Sequence, residues 1–387
     1  MKDFIFDVKT KILFGEDQLE NLGREIKKYG NKVLLCYGTG SIKKNGIYDD
    51  IVGELKKDGI EYFELAGIEP NPRVDSAREG IRLVREHNIS FILAVGGGST
   101  IDCAKLIAGG YKLDCDPWNI LTGKAKIEEA LPIGVVLTLS ATGSEMDDSA
   151  VITNLETKEK LAFANSHVLP KFALMNPKYT FTVPKYHTAA GTADIMSHTM
   201  ENYFTLDDCY FQDGVAEAIL KTCVNYGRRA MDEPENYEAR ANLMWASTWA
   251  INGLLSTGKS ADWSVHPIEH EVSAYFDITH GVGLAIITPR WLEYCMNEET
   301  TPKIARFARE VFEVEERDDK KAAELGILAL YKFFESLDIP MHLRDTGVTE
   351  DKLEEMAKMT IEHKRRNIRG FVELSEEAVL EILRKSF

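Results

Sequence analysis

From Lys32 onward the chain alternates two kinds of segment, and this alternation constrains the fold more than any other feature of the sequence. The apolar run Lys32-Val33-Leu34-Leu35-Cys36-Tyr37 ends at Gly38-Thr39-Gly40-Ser41, and a stretch with apolar residues three and four apart follows from Ile47 to Lys57. The unit repeats as Glu61 to Leu65 followed by Val74 to His87. It repeats again as Ser90 to Val95, which ends at Gly96-Gly97-Gly98-Ser99 before a helical stretch from Thr100 to about Ala108. Ser99 and Thr100 stand where a helix takes its N-terminal cap. Short runs that are apolar throughout, rather than alternately, belong to strands buried on both faces, as in a parallel sheet with crossover helices. An α/β domain with a parallel sheet is therefore expected for the first half.

Further apolar runs follow at Ile133 to Leu139, Ala150 to Thr153, Leu161 to Phe163 and Phe172 to Met175, and then come Pro177 and Pro184. Beyond Pro184 the strand signal stops. Gly214 to Tyr226, Glu238 to Ile251, Thr301 to Phe312, Lys321 to Leu337 and Ser375 to Phe387 all carry the helical period. The spacing predicts two domains, an α/β domain over 1–184 and an all-α domain over 185–387. The length of 387 residues agrees, since a single core stops growing well before it. The charged stretch from Glu313 to Lys321 reads as a solvated loop.

Several function classes fall away. A formal charge of −16 with only short basic clusters, such as Lys364-Arg365-Arg366, argues against a nucleic-acid partner. No apolar run approaches the ~20 residues that a bilayer requires, so no membrane association is expected. The N-terminal stretch lacks the pattern of a signal peptide. Six cysteines without a C-x-x-C pair encode no zinc knuckle or redox dithiol. A cytoplasmic protein with free thiols is expected.

Chemistry concentrates at two places. Strand, Gly96-Gly97-Gly98-Ser99, then helix offers backbone N–H groups and a helix N-terminus to an anion. Gly38-x-Gly40 supplies a second glycine turn, although the full G-x-G-x-x-G is absent. A third loop, Thr138-Leu139-Ser140-Ala141-Thr142-Gly143-Ser144-Glu145, is dense in small hydroxylated residues. Three such loops at strand ends of one sheet point to a nucleotide site, the reading that makes the first domain a dinucleotide-binding one.

The second place is rich in metal donors. Asp194 and His198, four apart, share one helix face amid small and apolar neighbours. Val265-His266-Pro267-Ile268-Glu269-His270 contains the H-x-x-E-H pattern of an inverted zinc protease, in which His266 and His270 bind the ion and Glu269 is the base. The competing set is Asp194, His198, His266 and His280, one carboxylate and three imidazoles with a position open to substrate. That set leaves His270 to orient a neighbour or to handle a proton, and Glu269 as an ordinary helix residue.

Taken together, Gly96-Gly97-Gly98-Ser99-Thr100-Ile101-Asp102, Ala141-Thr142-Gly143-Ser144-Glu145, Asp194-x-x-x-His198 and His266-Pro267-x-x-His270 through His280-Gly281 resemble the iron-containing (group III) alcohol dehydrogenases. The branch most resembled is that of NAD(P)H-dependent butanol dehydrogenases and aldehyde reductases, and the likeness runs over the whole chain. It implies a small aldehyde or alcohol substrate, a homodimer, and Fe²⁺ or Zn²⁺ held by Asp194, His198, His266 and His280. His270 becomes the candidate for relaying the proton. The implied cofactor contacts are Gly38, Gly40, Ser41, Gly96, Gly97, Gly98, Ser99, Asp102, Thr138, Ser140, Thr142, Asp147 and Lys160.

No carboxylate stands in the turn after the first strand, where Lys43 and Lys44 follow instead, and this favours NADPH over NADH. Asp147 counts the other way, because a second negative charge there opposes a phosphorylated dinucleotide. Two rivals remain at this point. A sugar-phosphate cyclase of the dehydroquinate synthase type would need Lys and Arg near these motifs, which they lack. A metallopeptidase would have no use for the glycine loops.

Overall fold

The computed structural model describes residues 1–387 as two compact units, Asp7–Val183, and Pro184–Phe387 together with Met1–Phe6. The first unit holds the strands β1 (Lys11–Phe14), β2 (Lys32–Tyr37), β3 (Glu61–Leu65), β4 (Phe91–Gly96), β5 (Ile133–Leu137), β6 (Ser149–Asn154), β7 (Glu159–Ala164) and β8 (Phe172–Met175). Its helices are α1 (Leu22–Ile26), α2 (Ser41–Lys44), α3 (Ile47–Lys57), α4 (Val74–His87), α5 (Gly98–Gly110) and α6 (Trp118–Leu121). Six strands form one parallel sheet in the order β1-β8-β5-β4-β2-β3. Every residue of β4, β5 and β8 is buried, as the uninterrupted apolar runs require.

The runs around Ala150 and Leu161 do not join that sheet. β6 and β7 pair with each other as a separate antiparallel ribbon. Their burial alternates along part of their length, which suits strands covered on one face only.

The second unit is helical: α7 (Lys185–Tyr203), α8 (Tyr210–Asp232), α9 (Tyr237–Ile251), α10 (Val265–Phe276), α11 (His280–Cys295), α12 (Thr301–Phe312), α13 (Asp319–Ser336), α14 (Leu353–Lys364) and α15 (Glu376–Ser386). One departure from an all-α reading is the short antiparallel pair β9 (Ile368–Arg369) and β10 (Glu373–Leu374). Phe204, Trp291, Phe307 and Phe371 pack as one aromatic cluster in the core. Burial of such side chains contributes roughly 1.5–3 kcal/mol each.

Buried from Thr188 through Tyr203, α7 runs through the centre of this unit, and its small residues let neighbours come close. A Cβ on Gly281 of α11 would lie 2.0 Å from the Ala190 carbonyl oxygen, so only glycine allows that approach.

Met1–Phe6 belongs with the helical unit, whereas the sequence boundary put it in the α/β domain. The Lys2 N–H donates to the Gly258 carbonyl at 2.9 Å, and the Lys2 ammonium pairs with Asp207. The segment is therefore held by tertiary contacts that its own composition does not announce.

Candidate functional site

In the α/β unit, pairing sets Tyr37 beside Val95 and Gly96 beside Leu137. The turns after β2, β4 and β5 therefore leave one edge of the sheet. The strand order reverses there, with β3 on one side of β2 and β4 on the other, and open α/β sheets bind ligands at such a point. The expected contacts Gly38, Gly40 and Ser41 follow β2, Gly96, Gly97, Gly98 and Ser99 follow β4, and Thr138, Ser140 and Thr142 follow β5. Lys160 lies buried in β7 opposite Thr153.

Helix α5 begins at Gly98 on an extended Gly97 that makes no side-chain cap bond. Ser99 and Thr100 thus lie inside the helix and do not cap it. A Cβ on Gly98 would come 2.4 Å from Thr142, and one on Gly97 3.1 Å from Leu139. The glycines are what let the two loops close together. The uncapped start of α5 leaves backbone N–H groups for an anion, which fits a dinucleotide pyrophosphate.

Two expected cofactor contacts are committed to protein partners. Asp102 accepts from the Ser144 hydroxyl at 2.7 Å and the Val151 N–H at 2.9 Å. Asp147 accepts from Lys105, whose buried ammonium also donates to Ser144 and to the Ser149 carbonyl, both at 2.8 Å. Burial pushes the Asp102 carboxyl up to about 6, although Lys105 pulls it down. This network ties α5 to the loop after β5, and Lys105 balances the Asp147 charge that had been set against a phosphorylated cofactor.

The β2 turn itself carries no carboxylate, as its sequence reads, but the next strand brings one beside it. β3 pairs with β2 so that Glu64 lies beside Leu35, and its carboxylate accepts from the Tyr37 and Tyr48 hydroxyls and from Lys43. Reading the β2 turn alone could not reveal an acid supplied by the next strand.

In the helical unit, α7 supplies Asp194 and His198, α10 supplies His266, and His280 is the first residue of α11. One ligand atom from each of the four lies within 4.8 Å of the others. His198 Nε2 is 3.5 Å and His280 Nε2 3.8 Å from Asp194 Oδ1. These separations are long for hydrogen bonds but ordinary for atoms that share an ion at about 2.0–2.2 Å. His266 Nε2 is buried without a hydrogen-bond partner, as a metal ligand is in the absence of its ion. Burial, with help from the neighbouring histidines, holds His198 well below the usual imidazole range and therefore neutral, the form that ligates.

Two carboxylates stand behind the ligands. Glu201 accepts from His266 Nδ1 at 3.1 Å and from the N–H groups of Ser264, Val265 and His266 at 2.8, 2.8 and 2.9 Å. It therefore caps α10 from α7 and leaves Nε2 of His266 for a metal. Glu269, fully buried, accepts from His280 Nδ1 and from the Ser273 hydroxyl. It is not the ordinary helix residue that the sequence led us to expect. Nor is it placed as a protease base, since one of its oxygens is held by His280 Nδ1. The available signal was spacing: Glu201 follows His198 by three residues and Glu269 follows His266 by three, each on the ligand's face of its helix.

Comparison with known proteins decides the family. The model described as "Iron-containing alcohol dehydrogenase" matches residues 9–177, and that described as "Fe-containing alcohol dehydrogenase family, C-terminal" matches residues 188–387. The chain belongs to the iron-containing alcohol dehydrogenase family. It is 51% identical over 389 residues to NADH-dependent butanol dehydrogenase A of Clostridium acetobutylicum, covering 100% of both chains. It is 39% identical over 394 residues to the NADPH-dependent aldehyde reductase YqhD of Escherichia coli, covering 100% of this chain and 99% of that one. The crystal structure of NADH-dependent butanol dehydrogenase A from Thermotoga maritima superposes with a TM-score of 0.96 at 38% identity, covering 100% of this chain and 99% of that one.

Iron fits the residues present: one carboxylate, three imidazoles and a buried nitrogen awaiting a partner. His270 is half-buried, its ring centroid 5.6 Å from that of His280 and 6.2 Å from that of His266. Trp263 packs on His198 and His266, with centroids 5.6 and 4.6 Å away. It also lines a cavity of about 320 Å³ that it shares with Asn202, Ser256, Lys259 and Ser260, a more polar wall than an aromatic pocket would offer. Tyr275 and Phe276 pack against the helical core, and the Tyr275 hydroxyl bonds Glu355 at 3.0 Å. Of these three aromatic residues, Trp263 is the one whose ring packs on His198 and His266.

Proposed function

We propose that the protein is a metal-dependent, NAD(P)H-linked alcohol dehydrogenase and aldehyde reductase acting on small primary alcohols and aldehydes such as butanol and butyraldehyde. The observation that carries this reading is the convergence of Asp194, His198, His266 and His280 within 4.8 Å. The full-length likeness to butanol dehydrogenases and to an aldehyde reductase supports the substrate class.

Asp194, His198, His266 and His280 would hold Fe²⁺ or Zn²⁺, with Glu201 and Glu269 fixing the His266 and His280 rings through their Nδ1 atoms. Such an ion, when bound, supplies Lewis acidity to a carbonyl or alkoxide oxygen. The dinucleotide, when bound, supplies or accepts hydride at its nicotinamide. Gly96, Gly97, Gly98 and Ser99 would receive the pyrophosphate at the start of α5, while Lys105 keeps the loop after β5 against that helix. His270, half-buried with its ring centroid 5.6 Å from that of His280, would pass the proton between substrate oxygen and solvent.

No helix is long and apolar enough to cross a membrane, and all six cysteines are free thiols. Free thiols support a cytoplasmic, reducing location. Tyr210 and Phe211, adjacent at the start of α8 and both exposed, offer apolar side chains to a second copy, which supports a homodimer.

The test is direct. Iron-loaded protein mixed with reduced nicotinamide cofactor and butyraldehyde should consume the cofactor, as read by loss of its absorbance, and should not do so without aldehyde. Failure with butyraldehyde and with a series of other aldehydes would overturn the reading.

A further inference from the structure

Two of the three metal-donor imidazoles are oriented by a carboxylate, and the third is not. Glu201 holds Nδ1 of His266, and Glu269 holds Nδ1 of His280. Nδ1 of His198 is buried without a hydrogen-bond partner, while its Nε2 lies 3.5 Å from Asp194. A ligating imidazole ordinarily has its second nitrogen bonded, which fixes both the tautomer and the orientation of the ring. The His198 ring must be set by other means.

Ring packing supplies them. The His198 and His266 imidazoles stack with centroids 4.8 Å apart and planes 19° apart. Trp263 closes against both, 5.6 Å from His198 at 39° and 4.6 Å from His266 at 52°. Close packing of this kind blocks rotation of a ring without needing a donor or an acceptor.

The indole is itself tethered on both sides along the chain. Before it, Asp262 accepts from Lys364 at 2.9 Å, from Arg366 at 2.6 Å and from the Arg369 N–H at 2.7 Å. Burial pushes the Asp262 carboxyl up, but these bonds outweigh it and hold the group at about 2, so the tether is charged at neutral pH. After it, the Ser264 N–H donates to Glu201 at 2.8 Å. A Cβ on Gly370 would lie 2.5 Å from the Asp262 carbonyl oxygen, so glycine is what lets the segment after α14 lie against this turn.

We propose that Trp263 is a positioning residue for the metal centre, orienting the His198 imidazole by packing as Glu201 and Glu269 orient the other two by hydrogen bonds, with Asp262 anchoring the indole. The proposal rests on the four-donor reading above. It gives Trp263 a part in holding a ligand rather than in recognising a substrate chain.

Competition with a chromophoric chelator for Zn²⁺, run without cofactor or substrate, tests it. Trp263→Leu should lower the metal affinity about tenfold or more, the usual cost of losing a group that orients a ligand. Trp263→Phe, which keeps a flat ring, should recover most of that loss. Asp262→Asn should lower the affinity less, and should add nothing when combined with Trp263→Leu, because it acts through the indole. In Co²⁺-loaded protein the visible absorption bands, which report ligand geometry, should change in Trp263→Leu. Phe307 packs on Tyr203, Phe204 and Phe312. Phe307→Leu should therefore weaken the same unit toward denaturant and leave both metal affinity and spectrum unchanged.

Wild-type affinity with an unchanged Co²⁺ spectrum in Trp263→Leu would overturn the proposal and leave the metal centre intact. Equal losses in Trp263→Leu and Phe307→Leu would overturn it in favour of general loosening. Should Trp263→Leu fail to fold, Asp262→Asn carries the test, and wild-type affinity there would overturn the proposal. Failure of the wild-type protein to retain any ion would overturn the metal-centre reading itself.

Discussion

In His280→Ala, bound iron and alcohol oxidation are expected to disappear together. His280 opens α11 beside Gly281, whose missing Cβ lets that helix sit against α7, so its imidazole reaches Asp194 from an element that carries no other ligand. Without it, Asp194, His198 and His266 remain as three donors from two helices. Losing the Lewis acid should lower turnover by about 10³-fold or more, in line with removal of oxyanion stabilisation. Asp194→Asn should behave alike, since it removes the carboxylate among the four.

Glu201→Gln provides the graded contrast. It keeps all four ligands but puts an amide where a carboxylate takes three backbone N–H groups and His266 Nδ1. Metal affinity, measured by competition with a chelator, should fall about 10–100-fold rather than vanish. Metal analysis alongside the assay checks all three variants. Full activity in a metal-free His280→Ala protein would sink the ligand assignment.

Lys105→Met should produce the largest loss of stability in the α/β unit. The Lys105 side chain is wholly buried and faces Asp147, itself 8% exposed, with Asp102 joined to it through Ser144. Removing the cation leaves buried carboxylates without compensation, a change that typically costs about 3–5 kcal/mol. Chemical denaturation measures it.

The loss should also depend on pH. The folded-state carboxyl of Asp102 sits at about 6, above its unfolded value of 3.8, so the folded state takes up the proton first and stability falls as pH rises through that window. Removing Lys105 raises the carboxyl further. The penalty of Lys105→Met should therefore be greatest above pH ~6 and shrink as acid neutralises Asp102. A penalty that stayed flat between neutral and acid conditions would mean that the ammonium is not compensating this charge.

The parts legible in the sequence were those set by local periodicity and by motif spacing. Uninterrupted runs such as Phe91 to Val95 and Ile133 to Leu137 announce buried parallel strands, because a strand covered on both faces has no polar positions to alternate. Asp194 and His198 announce a shared helix face by their spacing alone.

What stayed hidden depends on which elements meet. Glu201 and Glu269 could be put on the right faces, but nothing local says that one caps α10 and the other holds His280. Glu64 enters the first turn only through β2–β3 pairing, and Lys105 is an unremarkable letter until β6 and the loop before it fold over α5. Asp102 and Asp147 were assigned to the cofactor for the same reason. An acidic residue beside a glycine loop does not disclose that Ser144, Val151 and Lys105 have already claimed it.

The central claim is that the four-donor set in the helical unit is the catalytic metal centre of a nicotinamide-linked aldehyde reductase. The most direct test strips the protein with a chelator and returns Fe²⁺ stepwise under anaerobic conditions, while butyraldehyde-dependent loss of reduced-nicotinamide absorbance is followed. The rate should start near zero, climb with added iron and level off at a single ion per chain. Stripped protein that reduces butyraldehyde at the full rate would contradict the account.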